Sequence, residues 1–219
     1  MGWIVNAVQL LAKGGYVMIP LMFCSVVSVA ILIERYITIR KAQVDVSTVI
    51  HNAEDALFSN NTRRALDLLG SIDTPVTRVV TAGINSKHLG ERGAERAMEE
   101  QGMRELSAIT QRLGYLDTII TIAPLLGLLG TVTGMISAFH VIAAKDGIST
   151  PTAITGGVAE ALVATATGLA IAIFTLVGYN HIQDKIKDVA AEIETKGSAM
   201  VNVLVEVGEG ISEVTRISA

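Results

Sequence analysis

The chain has 219 residues, 50% of them hydrophobic and only 17% charged, with a mean hydropathy of +0.50. An ordinary soluble domain carries about 25% charged residues, so this balance points to a membrane protein. The net charge of −4 gives no basis for nucleic-acid binding, and the single cysteine, Cys24, excludes an intrachain disulfide or a cysteine metal site.

A helix needs about 20 mostly apolar residues to cross the hydrocarbon layer, and three windows qualify. Residues 1–15 form a short segment before the first, which runs from Tyr16 to Ile33, "YVMIPLMFCSVVSVAILI", and is closed by Glu34 and Arg35. The run is long for the core of a signal peptide, and "IERYITIRK" follows where small residues would mark a cleavage site, so it reads as a retained span over 16–39. Cys24, inside it, reads as a small apolar packing residue.

Residues 40–117 read as a block of helices with short breaks. "DVSTVIHNAEDALFSN" and "TRRALDLLGS" show helical spacing of apolar residues, and "DTPVTRVVTAGINS" follows a break at Asp73, Thr74 and Pro75. From Glu91 onward no strong breaker precedes the membrane, which predicts a continuous helix to Ala143, about 80 Å long at 1.5 Å per residue. Its membrane part, 118–144, holds Pro124, which should kink it. The same span holds Gly127, Gly130 and Gly134, small residues that let membrane helices approach closely.

After a loop at 145–157 comes the third span, 158–180, paved with Ala159, Ala161, Ala164, Ala166, Gly168, Ala170 and Ala172. Close packing on several faces predicts a multi-helix, oligomeric assembly. Residues 181–219 extend it as a C-terminal helix whose stripe of Ile182, Ile186, Val189, Ala190, Ile193 and Met200 needs a partner, either the chain's own helices or another protein.

Lys and Arg set the orientation. Only Lys13 precedes the first span and only Lys145 separates the second and third, whereas Arg35 to Asp117 carries eleven and the C-terminal segment has Lys185, Lys187, Lys196 and Arg216. The N-terminus and the 145–157 loop are therefore expected outside the cytoplasm, and 40–117 and 181–219 inside it. The fold class expected is all-α, a polytopic membrane protein with three transmembrane helices, the second and third extended far into the cytoplasm.

Glu160 opens a run of nineteen residues with no further charge. An ionisable group within a span costs about 2.5–3.5 kcal/mol at the helix centre and usually faces a cavity or a partner. A snorkelling carboxylate is the plain alternative near the outer end. Hydroxyls cluster nearby: Thr131 and Thr133 in the second span, Thr165 and Thr167 in the third. Singly, each would bond back to a carbonyl one turn earlier; as a set beside a carboxylate they can line a polar path. At about 100° per residue Thr167 lies close to Glu160 around the helix and Thr165 far from it, so both reach one path only if the span is contacted on two faces. His140 reads as an interfacial histidine. His51, His88, His140 and His181 lack metal-ligand spacing, and no nucleotide-binding loop or nucleophile elbow is present, so neither an enzyme nor a cofactor is expected.

"APLLGLLGTVTGMISAF", Ala123 to Phe139, and "GGVAEALVATATGLAIAIFTLVGYN", Gly156 to Asn180, resemble the two signature segments of the MotA/TolQ/ExbB proton-channel family, and are most like ExbB and TolQ. The resemblance extends to the whole architecture, from the first span ending in "IERY" to the two later spans. It implies a homopentamer in the bacterial inner membrane around the single transmembrane helices of a dimeric ExbD- or TolR-like partner. Proton flow would be passed on to a periplasm-spanning protein of the TonB or TolA kind. By motif position it assigns the proton pathway to Glu160 of "AEAL", Thr131 of "GTV" and Thr165 of "ATA", with the proton-carrying aspartate in the partner. Two departures concern the branch: Thr133 stands where ExbB and TolQ commonly have tryptophan, and "TGG" replaces the usual "APG". Energising TonB-dependent uptake is the leading expectation. The rivals are TolQ-like envelope maintenance, a flagellar or gliding stator, and a non-conducting scaffold in which Glu160 only orients the partner.

Overall fold

The computed structural model describes residues 14–144 and 151–217, with side chains over 14–140 and 155–208. Every regular element among them is helical: α1 Met18–Ala42, α2 Ser47–Phe58, α3 Thr62–Leu69, α4 Pro75–Asn85, a 3₁₀ turn Lys87–Leu89, α5 Glu91–Thr110, α6 Leu113–Ala144 and α7 Pro151–Ile217. Helices α1, α6 and α7 each contain a stretch long and apolar enough to cross a membrane. Of the expected outer segments, residues 1–13 and 145–150, with Lys13 and Lys145, lie outside the described residues.

The chain divides into two compact units. The first, residues 1–34 and 112–181, holds the apolar stretches. Its buried cluster is Met18, Leu21, Ile119, Ala123, Ala164 and Ala172, with Cys24 and Leu126 packed against it. Large apolar side chains point outward, among them Phe23, Val26, Leu125, Phe139, Ile173 and Phe174, the arrangement a helix bundle adopts when lipid or another chain replaces water. Helix α6 runs unbroken through Pro124. Thr175, fully buried, donates to Ile171 O one turn earlier and so enters the apolar interior satisfied.

The second unit, residues 35–111 and 182–219, is a helical bundle. Asn61 caps α3 by accepting from Arg64 N–H at 3.1 Å, and Asn60, in the left-handed region at φ 53°, turns the chain out of α2. The Asp73–Pro75 break is a helix start with a reciprocal cap. Thr77 N–H donates to Thr74 Oγ1 at 3.3 Å, Thr74 N–H donates to Thr77 Oγ1 at 3.0 Å, and Pro75 takes the first turn, where its missing N–H costs nothing. Val76, Val79, Val80 and Ile84 of α4 are buried with Ala94 and Met98 of α5 and with Ile182, Ile186, Val189, Ile193 and Met200 of α7. A Cβ added to Gly102 would touch Ile193 Cγ2 at 3.4 Å. The C-terminal stripe thus packs on the chain's own helices, with Ala190 half-buried at its edge.

The continuous helix expected from Glu91 to Ala143 is interrupted. Gln111 is extended (φ −51°, ψ 140°) and Arg112 is left-handed at φ 70°, an arrangement a non-glycine residue adopts only when its surroundings hold it there. In the membrane unit Arg112 forms an ion pair with Glu34 at 3.1 Å. In the second unit the buried Arg35 donates to Ala108 O at 3.3 Å and Ile109 O at 3.4 Å, covering carbonyls that the end of α5 leaves unpaired.

Candidate ion path in the membrane unit

Glycine and alanine bring α6 and α7 together backbone to backbone. A Cβ at Gly127 would lie 2.9 Å from Thr165 Cα and one at Gly130 2.5 Å from Ala164 Cβ. One at Gly134 would lie 2.8 Å from Ala161 Cβ, and one at Gly168 only 2.4 Å from Ala123 O. Gly157 meets Gly134 O in the same way, at 3.0 Å. On α7 these positions are 157, 161, 164 and 168, alternating steps of four and three that keep one face toward α6. Ala159, Ala166 and Ala170 are exposed on the other faces.

The hydroxyls divide by role. Thr165 Oγ1 donates across the seam to Gly127 O at 2.8 Å, a bond possible because glycine at 127 lets the helices close. Thr167 donates to Val163 O at 2.8 Å, Thr131 to Leu128 O at 2.6 Å, and Thr133 to Leu129 O at 3.0 Å and Gly130 O at 3.2 Å. These three therefore satisfy their donors within their own helices and keep oxygen lone pairs free to accept. Thr131 and Thr167 are half-buried, Thr133 and His140 exposed.

Glu160 is half-buried on α7. Its carboxyl group lies against Gly15, in the turn that leads into α1: a Cβ on Gly15 would sit 1.9 Å from Glu160 Oε1. Nothing in the sequence points to this neighbour, because Gly15 belongs to none of the motifs and lies far from Glu160 in the chain. Of the residues expected from the sequence, Thr165, Gly127, Gly130, Gly134 and Gly168 meet in the seam. Pro124 follows Ala123, whose carbonyl faces Gly168. Glu160 and Thr131 have no contact with each other in this single chain among the bonds described. Among the described residues no group of His, Cys, Asp or Glu is placed to hold a metal ion.

Residues 71–195, which include the membrane carboxylate and the paired small-residue helices, match the model of the MotA/TolQ/ExbB proton channel family. The chain belongs to that family. A putative biopolymer transport protein ExbB homolog from Methanothermobacter thermautotrophicus is 28% identical over 190 residues, covering 86% of this chain and 67% of the relative. The ExbB-like 3 protein of Synechocystis is 30% identical over 168 residues, covering 76% of this chain and 80% of that one. The Tol-Pal system protein TolQ of Haemophilus influenzae is 36% identical over 96 residues, covering 43% and 41%. This ExbB/TolQ-type family member is an integral membrane protein with three spans, a proton-channel motor subunit and not an enzyme.

Proposed function

We propose that the chain is the stator subunit of an inner-membrane motor that couples the proton-motive force, through a dimeric ExbD-like partner, to TonB-dependent transport across an outer membrane. Glu160 carries the reading. It is the charged group of the third span, held half-buried beside a seam that brings two membrane backbones into contact. Thr131 and Thr165 are the hydroxyls of the path. Thr131 keeps lone pairs free to accept, while Thr165 is bonded to Gly127 O and would act by releasing that bond or by holding the helices that frame the path. Each proton crossing 100 mV releases about 2.3 kcal/mol, so several per step can drive a mechanical change.

The exposed alanines at 159, 166 and 170, with the outward apolar side chains, support a homopentamer whose subunits surround the partner's transmembrane helices. The Lys and Arg distribution supports a periplasmic N-terminus and 145–157 segment, of which 151–157 form the start of α7, with 40–117 and 181–219 in the cytoplasm. A TolQ-like envelope-maintenance motor working through a TolR- and TolA-like pair is the second reading, favoured by the match to TolQ.

The test is ion flux through the purified complex in liposomes, with an ExbD-like partner co-expressed, in proton and sodium gradients. Glu160→Gln should abolish flux while the oligomer stays intact. Unchanged flux would return Glu160 to a purely structural role.

A further inference from the structure

The opening turn of the first span meets Glu160 through a residue that has no side chain. Met18 N–H donates to Gly15 O at 3.1 Å and Ile19 N–H to Tyr16 O at 3.3 Å, closing the turn that starts α1. Gly15 sits at φ +69°, the left-handed region where glycine is at ease and other residues are strained. Its missing Cβ would lie 1.9 Å from Glu160 Oε1, 3.0 Å from Cδ and 3.4 Å from Cγ. The end of the Glu160 side chain therefore occupies the volume that any other residue at position 15 would fill.

The turn is itself held in place. Gly14 is buried, Val17 packs against the cluster of Met18, Leu21 and Ala164, and a Cβ added at Gly130 would come within 3.8 Å of Val17. Two independent demands thus fall on one position, a left-handed backbone and an empty side-chain volume. Conformation alone accounts for the first, whereas the second is set by the carboxylate.

We propose that Gly15 is a positioning residue for Glu160: the side-chain-free turn before the first span sets where the carboxylate rests, and so whether it can take up and pass on an ion. The proposal rests on the reading of Glu160 as the ion carrier.

Gly15→Ala in the purified complex, assayed by proton flux in liposomes, should lower flux at least about tenfold with the oligomer intact, since displacements near 1 Å at a reacting group cost this much or more. Adding Glu160→Asp, one methylene shorter, withdraws the carboxyl group from the new Cβ. The double variant should then conduct better than Gly15→Ala alone, although backbone strain at position 15 is the same in both. Wild-type flux in Gly15→Ala, or a double variant no better than the single one, would overturn the proposal. Where Gly15→Ala does not assemble, carbon-detected solid-state NMR on wild-type complex takes its place: a cross-peak between Gly15 Cα and Glu160 Cδ, lost in Glu160→Ala, is expected, and its absence overturns the contact. If Glu160→Gln leaves flux unchanged, the ion-carrier reading fails by itself, and the cross-peak still reports whether the turn holds the carboxylate.

Discussion

Replacing Gly168 with alanine tests the seam between α6 and α7 at its tightest point. The new Cβ would stand 2.4 Å from Ala123 O, 3.2 Å from Ala123 C and 3.2 Å from Gly127 Cα, all backbone atoms that no rotamer change can move aside. Restoring ordinary contact requires the helices to part by roughly 1 Å, and overpacking of this kind costs about 1–3 kcal/mol. The same separation stretches the Thr165 to Gly127 bond from 2.8 Å beyond hydrogen-bonding range, adding about 0.6 kcal/mol, the average for such bonds in membranes. Alanine's better helix propensity returns about 1 kcal/mol, leaving a net loss of roughly 0.6–2.6 kcal/mol. The assay is reversible unfolding of the purified protein in mixed micelles. Gly156→Ala serves as reference, because a Cβ there meets nothing within 4 Å and should be neutral or stabilising. Equal stability of the two variants would refute the assignment of Gly168 to a backbone contact.

Thr165→Val should destabilise the membrane unit by about 0.6 kcal/mol, and by no more than about 1.7, by removing the bond to Gly127 O; the same unfolding assay reads it, and no change would mean the bond is not kept in the membrane. Arg78→Ala strands the buried Glu105, which loses Nε and Nη2 donors at 2.8 Å and 2.7 Å and keeps Gln101. The second unit should lose about 1–3 kcal/mol, seen as a lower melting midpoint by circular dichroism. Arg35→Met should expose the Ala108 and Ile109 carbonyls without a donor, and hydrogen exchange should rise in the last turn of α5 and not in α2. Asp45 accepts the Ser47 N–H at the start of α2, and this bond holds its carboxyl below the usual value of 3.8. Because the folded value is the depressed one, its contribution is present above the ordinary aspartate range and is lost as pH falls through the lower value. The Ser47 amide shift should follow that titration by NMR and stay flat in Asp45→Asn.

The membrane architecture was legible because its signals are strong and local. Three apolar runs, a proline at the first turn of α4 and the two motif segments can each be read within a short window. The C-terminal stripe was legible as a face but not as a destination, since periodicity shows that Ile186 and Val189 are buried and not what buries them. The interruption at Gln111 and Arg112 was illegible, because neither residue is a breaker. Its flanking groups are met by Glu34 and Arg35, some seventy-five positions earlier in the chain, each within its own unit. In the candidate path, helical angles correctly separated Thr165 from Glu160. They could not show that Thr165 donates to the facing helix, nor that the Glu160 carboxyl group rests on Gly15.

A seam of glycine and alanine crossed by the single hydroxyl of Thr165 has few side chains to repack, so it offers few of the alternative rotamer sets by which packed interfaces usually switch between states. The paired stretches of α6 and α7 within the membrane unit then behave as one plank, stiff across its width. If the chain works as the proposed stator subunit, ions would pass over an outer face of this pair, Thr165 would act by holding the pair together, and a working stroke would come from the pair sliding or turning against its neighbours. Substitutions that loosen the seam would for this reason act less like a blocked channel than like a worn bearing, with ions still crossing and less of their energy recovered as motion.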